Sequence, residues 1–313
     1  MGRFRFLRGR LLQSIPVVIG VTIIAFFILR LIPGDPTSVM LGAHWTPQRA
    51  AVLRHNLGLD RSVAQQYRLF MENLFQLDLG QSIYYHRSVS SLIAERLPVT
   101  LWLAVYSTVL AILIAVPLAT LSALRRNGVV DQTSRVGFLI IFAMPPFWVG
   151  LILVILFGLN LHLFPVSGYG EGVGGHVYHL FLPALTIALG FGAILTRTLR
   201  NSILGVLQAD YLDTAKAKGL STLRVLNRHV LRNALVAGVT VIGVNLAYLI
   251  GSTVIIENVF ALPGLGQLLA SSINTRDLSV VQGIILVFGL CVVAINLLTD
   301  VAYAAMDPRV SFE

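Results

Sequence analysis

Residues 99–124 read VTLWLAVYSTVLAILIAVPLATLSAL, an apolar stretch that contains no charged residue. At about 1.5 Å per residue, a helix of this length exceeds the roughly 30 Å of hydrocarbon in a bilayer. Because no water is present there, a spanning segment must satisfy its backbone hydrogen bonds internally, which a helix does. We therefore predict that this stretch is a transmembrane helix.

The whole chain has the composition expected of such helices. Of its 313 residues, 56% are hydrophobic and 12% are charged, and the mean hydropathy is +0.81. This charged share is about half of that in soluble domains, which excludes an ordinary soluble enzyme, a disordered tail and a fibrous repeat. We predict an all-α polytopic membrane protein with six transmembrane helices, at 11–29, 99–124, 136–159, 179–199, 234–256 and 280–305.

Several prolines lie in or beside these spans. Pro98 and Pro183 are predicted at helix starts, where a missing N–H costs nothing. Pro145 and Pro146 interrupt the third span and free backbone carbonyls, which neighbouring helices or a water-lined cavity must satisfy. Two interpretations remain for this pair: a packing kink, which we favour, or part of a translocation path.

The basic residues predict how the chain is oriented. Fifteen of the 23 lie in the N-terminal segment, in 125–135, in 197–233 and after the last span, whereas the opposite short loops, 160–178 and 257–279, hold none and one. By the positive-inside rule, both termini and the 197–233 loop are cytoplasmic. The same bias explains the net charge of +9 without nucleic-acid binding.

The predicted organisation has three parts. Residues 1–30 form a basic segment and a first span that is retained rather than cleaved as a signal peptide. Residues 31–98 form an outward-facing helical cap, in which Tyr67, Phe70, Leu74 and Leu77 of the stretch 63–77 recur at helical spacing. Residues 99–313 form a core of five spans.

No catalytic motif is present. The glycine-rich stretch 168–175 lacks the Gly-Lys-Ser/Thr of a nucleotide-binding loop and is predicted to be a flexible outer loop. His176 and His179 are spaced for a metal on a helix but have no third ligand nearby, so no metal site is expected. Asp300 is the main ionisable residue in a span, and we favour its pairing with a cytoplasmic arginine over a functional role. This scarcity of buried charges indicates that the energy source lies outside the chain.

One cytoplasmic loop is more elaborate than a connector. It reads ADYLDTAKAKGL over 209–220 and STLRVLNRHVLRN over 221–233. A polar helix is predicted to end at Gly219 in the left-handed conformation, and Lys216 and Lys218 complement the dipole of its C-terminus. A second, amphipathic helix leads into the fifth span, so the loop is a projecting helix–turn–helix.

This loop resembles the EAA loop of ABC-importer permeases. Asp213, Thr214 and Ala215 stand at the Glu-Ala-Ala positions, and Gly219 stands at the following glycine. The loop departs from the common EAA-loop pattern at three places, and these departures resemble the dipeptide-permease B-type family of the peptide/nickel branch. Asp213 replaces Glu, Thr214 replaces the first Ala, and residues 231–232 replace Leu-Pro. Similar stretches run along nearly the whole chain: RLIPGDP at 30–36, LGLD at 57–60, QY at 66–67, LDLGQS at 77–82, ENVFALPGLG at 257–266, RD at 276–277 and DVAYAAMDPR at 300–309.

The resemblance implies one membrane subunit of an importer in the bacterial inner membrane. Its partners would be a homologous C-type permease, an outer substrate-binding protein and two cytoplasmic ATPases, which would hold ATP and magnesium, so this chain is expected to be no enzyme and to need no cofactor. The loop 200–233 would dock on an ATPase through Asp213, Thr214, Ala215, Lys216, Lys218, Gly219 and Leu220. Di- and oligopeptides are the favoured cargo, and nickel, nickel chelates or glutathione are alternatives. A stand-alone ion-driven carrier is a competing class.

The last two spans carry further candidate residues. Gly243, Ala247 and Gly251 recur at four-residue spacing and are predicted to allow close helix packing. Asn245 and Asn296 are candidates for the translocation path, beside Pro145 and Pro146, although interhelical hydrogen bonding explains both asparagines equally well.

Overall fold

A computed structural model describes residues 2–31, 37, 41, 45–56 and 58–306. Its regular structure is helical, and within these residues the only β pairing is an isolated bridge between Gln81 and Ser88. The quoted stretches at 30–36 and 300–309 lie partly outside the described residues, as does the leucine of 57–60.

Twelve α-helices are described, two of which continue as π-helical turns. They are α1 (Gly2–Leu31), α2 (Pro47–Asn56), α3 (Val63–Phe75), α4 (Val89–Leu124), α5 (Val129–Ala143), α6 (Pro146–Leu153, then the π-helix Val154–Asn160), α7 (Gly172–Leu207), α8 (Tyr211–Ala217), α9 (Thr222–Val225, then the π-helix Leu226–Leu231), α10 (Arg232–Val259), α11 (Leu265–Asn274) and α12 (Leu278–Met306).

Five described helices are long and apolar enough to cross a membrane, and a bent pair brings the number to six. The bent pair corrects the prediction of one span over 136–159, because α5 and α6 meet at 106°. Met144 and Pro145 both precede a proline, which disfavours helical dihedrals, and both are extended, with ψ near 135° and 136°. The two prolines therefore break the span rather than kink it.

The placement of Pro98 and Pro183 at helix starts was wrong. Pro98 lies inside α4 and Pro183 inside α7, because each helix begins well upstream, beyond the apolar stretch. Membrane helices tolerate an internal proline where neighbouring groups satisfy the freed carbonyl.

The centre of the bundle is the pair α4 and α7. Ala111, Ala115 and Ala119 of α4 are fully buried at four-residue spacing, and Gly192 of α7 faces the backbone of Ala111. Small side chains let the two backbones approach closely, as is common between membrane helices. Helix α10 packs against α7 and α12.

Helix α1 lies at the periphery and joins the core to the predicted outer segment. It packs on α12, where Gln282 Nε2 donates to the carbonyl of Ala25 at 3.1 Å. Phe26 contacts the rings of Tyr67 and Phe70 on α3. The amphipathic helix predicted over 63–77 thus forms, but it ends at Phe75, and Leu77 lies beyond it, exposed and with a φ of 57°.

Candidate functional site

The segment 208–231, here named the connecting loop, joins α7 to α10. Helix α8 ends just before Gly219, whose φ of +74° confirms the predicted left-handed residue. The N–H of Leu220 donates to the carbonyl of Ala215 at 3.4 Å. This is the hydrogen bond of a Schellman cap that connects the first and sixth residues of the motif. Gly219 therefore fixes the turn between the two arms of the loop.

Helix α8 has a buried face and an exposed face. Leu212 and Ala215 are 1% and 8% exposed and belong to the main hydrophobic core. The same core includes Ile203 near the end of α7 and Ala234 near the start of α10. Leu212 and Ala215 of the connecting loop therefore belong to the same core as the ends of both spans that the loop joins.

The exposed face carries most of the residues that the sequence singled out. They are Asp213, Thr214, Lys218 and Gly219, whereas Leu220 is half-buried. Ala217, which was not among the candidate residues, is exposed beside them. Lys216 lies in α8, but its side chain is outside the described part of the chain. Ala215 faces inward, so it does not form part of the exposed face.

A side-chain bridge joins the two arms of the loop. Asn233 Nδ2 donates to the hydroxyl of Tyr211 at 2.9 Å and to the carbonyl of His229 at 2.7 Å. The π-helical turn Leu226–Leu231 continues into α10. The bridge therefore links Tyr211, the first residue of α8, to the first turn of α10.

A buried ion-pair cluster, which we did not predict, lies at the same end of the bundle. Asp131 of α5 has no exposed surface, and it accepts from Arg200 Nε and Nη2 of α7 at 2.6 and 2.7 Å. Arg135 and the backbone N–H of Asn127 complete its hydrogen bonds, at 2.8 and 2.9 Å. This cluster holds α5 to the part of α7 from which the connecting loop departs.

The predicted pairing of Asp300 with an arginine is confirmed, although Asp300 lies six residues before the end of α12 rather than at it. Its carboxylate lies 3.3 Å from Arg10 Nε. This contact brings the start of α1 and the end of α12 together.

A second buried carboxylate, also missed, organises the opposite end. Glu257 has no exposed surface and accepts from Thr100 Oγ1 at 2.7 Å. It also accepts from the backbone N–H groups of Gly266 and Gln267, at 2.6 and 3.0 Å, in the first turn of α11. One carboxylate therefore joins α4, α10 and α11, and the signal available in sequence was an acidic residue directly after an apolar span.

Replacing Glu257 with glutamine should destabilise this junction. The glutamine oxygen can still accept from the two backbone N–H groups, but the negative charge and the second oxygen, which accepts from Thr100, are lost, at a cost of about 2 kcal/mol. We expect a lower thermal midpoint for the purified chain. Glu95→Gln is the matched control, because Glu95 is half exposed and its ion pair among the described residues is with Arg87, so its loss should cost less than about 1 kcal/mol. Equal midpoints for the two variants would contradict the junction role.

The structure does not join the candidate path residues into one site. Asn245 is half-buried and its Nδ2 donates to the carbonyl of Val241 in its own helix, at 2.9 Å. Asn296 is exposed on α12, and Pro145 and Pro146 are exposed at the bend between α5 and α6. Among the described residues, no hydrogen bond links these positions.

The small-residue positions of α10 have different environments. A Cβ on Gly243 would overlap Thr299 of α12, so this glycine serves packing within the chain. Ala247 is half-buried, whereas Gly251 is exposed with open space beside it.

The glycine-rich stretch 168–175 is only partly the loop that we predicted, because residues 172–175 form the start of α7. Tyr169 stacks on the ring of His176 at 3.9 Å, and a Cβ on Gly170 would overlap His179 and Gly175. His176 Nδ1 and His179 Nδ1 each lie 3.0 Å from a local backbone carbonyl. Both rings are therefore used in closing this turn.

These features define a multi-pass helical membrane protein with a projecting, internally anchored loop between two spans. Residues 115–312 match the family described as binding-protein-dependent transport system inner membrane component, and residues 3–104 match the N-terminal region of such components. The chain belongs to this family of inner-membrane transport permeases.

Relatives with similar sequences extend over nearly the whole chain. A Brucella suis biovar 1 protein, named as a peptide transport system permease, is 40% identical over 307 residues, covering 97% of this chain and 98% of the relative. The oligopeptide transport system permease protein AppB of Bacillus subtilis is 38% identical over 309 residues, with 97% and 98% coverage.

A solved structure supports the fold. A chain of the inward-facing MetNI methionine ABC transporter aligns with a TM-score of 0.58 at 16% identity, covering 69% of this chain and 96% of that one. At this identity the likeness shows the fold, and the all-α polytopic architecture predicted from the sequence is confirmed.

Proposed function

We propose that this chain is one of two membrane subunits of an ATP-driven importer whose cargo is di- or oligopeptides. The observation that carries the proposal is the near full-length similarity to relatives named as peptide and oligopeptide permeases. A homologous C-type permease and an outer binding protein complete the membrane pathway.

The importer is proposed to contain two cytoplasmic ATPases. The connecting loop is proposed as the docking site on this chain for one of them. Its exposed residues Asp213, Thr214, Ala217 and Lys218 would contact the ATPase, while Leu212 holds α8 to the core. ATP and magnesium would be held by the ATPases, and closure of the ATPase dimer would displace α8. The burial of Leu212 and Ala215 in the common core and the Tyr211–Asn233 bridge support transfer of this displacement to the spans.

The cargo is proposed to pass between this chain and the C-type permease. Gly251 offers open space for close approach of the partner, next to Ala247 and Gly243 on the same helix. Asn245, Asn296 and the bend at Pro145–Pro146 are the proposed path positions. Both termini and the connecting loop are proposed to face the cytoplasm.

Reconstitution tests this function. The four-component complex in proteoliposomes, with binding protein outside and ATP inside, should accumulate labelled tri-alanine. A non-hydrolysable ATP analogue, or omission of the binding protein, should abolish uptake. Peptide uptake by this chain alone without ATP would contradict the proposal and favour the ion-driven carrier. Uptake of nickel or glutathione, but not of tri-alanine, would place the cargo in one of the alternative classes.

A further inference from the structure

A polar cavity lies at the end of the bundle that carries Glu257 and α11. Its volume is about 360 Å³, within the range of small-molecule sites. Its polar lining comes from the segment before α4, from α4, from the end of α10 and from α11: Tyr85, Arg96, Asn258, Gln267, Ser271 and Asn274.

Arg96 supplies the positive charge of this cavity. It is half-buried, and within the described part of the chain no hydrogen bond or ion pair is formed by its guanidinium. Glu257 is the neighbouring carboxylate that acts on Arg96 electrostatically, but its oxygens are engaged by Thr100 and the first turn of α11. The guanidinium thus has unused donors beside a cavity, an arrangement suited to a carboxylate, which accepts two parallel N–H bonds from arginine.

Neutral polar groups surround the guanidinium. Gln267, Ser271 and Asn274 lie on one face of α11, at helical spacing. The side chains of Gln267 and Asn274 form no hydrogen bond with other described residues. Asn258 donates to Val254 of its own helix at 2.7 Å, which leaves its side-chain oxygen to accept from an N–H. The cavity therefore offers donors for an anion and an acceptor for an amide, as the end of a peptide requires.

We propose that this cavity binds the terminal carboxylate of an incoming peptide, with Arg96 as its principal partner. The inference rests on the peptide cargo proposed above. By this proposal the permease itself recognises the C-terminal carboxylate of the cargo, in addition to any recognition by the binding protein.

The test compares two cargoes in the reconstituted complex. Tri-alanine and its C-terminal amide are supplied at concentrations that saturate the binding protein, and initial uptake is measured for Arg96→Gln. Loss of a charge-assisted pair should lower uptake of the free acid by about tenfold or more, and uptake of the amide by less than about twofold. Arg87→Gln is the matched control, because Arg87 is an exposed arginine just before α4 that pairs with Glu95. It should change neither rate by more than about twofold.

Equal losses for both cargoes, or unchanged uptake of the free acid, would overturn the proposal. If the wild-type complex imports neither peptide, the peptide cargo itself fails; if it imports the free acid and Arg96→Gln does so equally well, only the carboxylate site fails.

A second measurement does not depend on the amide. Gln267→p-benzoylphenylalanine should cross-link to labelled tri-alanine on illumination of the working complex. Addition of Arg96→Gln should remove the adduct. Cargo binding in this cavity would be contradicted if the variant that retains Arg96 gave no adduct. It would also be contradicted if the adduct persisted after Arg96→Gln was added.

Discussion

Replacing Gly219 with valine is expected to abolish peptide-stimulated ATP hydrolysis while leaving the chain inserted in the membrane. Gly219 has a φ of +74°, which a β-branched residue adopts only with strain of about 2 kcal/mol. This cost lowers the equilibrium ratio of the native turn to other loop conformations by a factor of about 30. We expect the cargo-stimulated ATPase rate of the reconstituted complex to fall by at least about tenfold.

Two controls separate the turn from a general effect of substitution at this end of the molecule. Gly219→Asn should retain most of the activity, because asparagine tolerates the left-handed conformation. Gly205→Val places the same side chain at an exposed helical glycine of α7, where a Cβ meets nothing within 4 Å, so activity should be retained. Normal coupling in Gly219→Val, or equal loss in Gly205→Val, would contradict a role for the turn.

Replacing Asp131 with alanine should give the largest loss of stability. Removal of a buried carboxylate leaves Arg200, whose side chain is 13% exposed, without its bidentate partner. Breaking such a pair costs about 3–5 kcal/mol. We expect the thermal midpoint of the purified chain to fall steeply and the yield of assembled complex to drop with it.

Matched variants identify the unpaired charge as the cause. Glu72→Gln removes an exposed pair with Arg68 and should leave the thermal midpoint close to that of the unmodified chain. Asp131→Leu combined with Arg200→Met removes both charges and should recover much of the stability, since apolar replacement of a buried pair is often neutral. A double variant as unstable as Asp131→Ala would show that packing, rather than the ion pair, sets the effect.

The helical membrane fold could be predicted because apolar length and arginine placement are local properties of the sequence. An interruption of the third span at Pro145 and Pro146 was predicted, but its bend of 106° was not, because hydropathy carries no information on helix direction. Met144 and Pro145 each precede a proline and are both extended. That pair of dipeptides was the signal for the break.

The turn at Gly219 was predicted because a glycine that follows a helix commonly adopts the left-handed conformation that ends the helix. The partners of Asp131 and Glu257 were not, because they lie far apart in sequence: Arg200 is 69 residues from Asp131, and Thr100 is 157 residues from Glu257. Only packing of the helices brings these groups together. The division of α8 into buried and exposed faces likewise depends on the core beneath it.

Cysteine labelling and cross-linking test the central claim most directly. Ala217→Cys is introduced with Cys291→Ser, so that the exposed face of α8 carries the only thiol. A membrane-impermeant maleimide should label it in inside-out vesicles and not in right-side-out vesicles, and a short cross-linker should join it to an ATPase in the assembled complex. Tyr84→Cys, exposed in the predicted outer segment, should show the opposite sidedness and no ATPase adduct. Labelling of Ala217→Cys from the outside, or no adduct with an ATPase, would contradict the account.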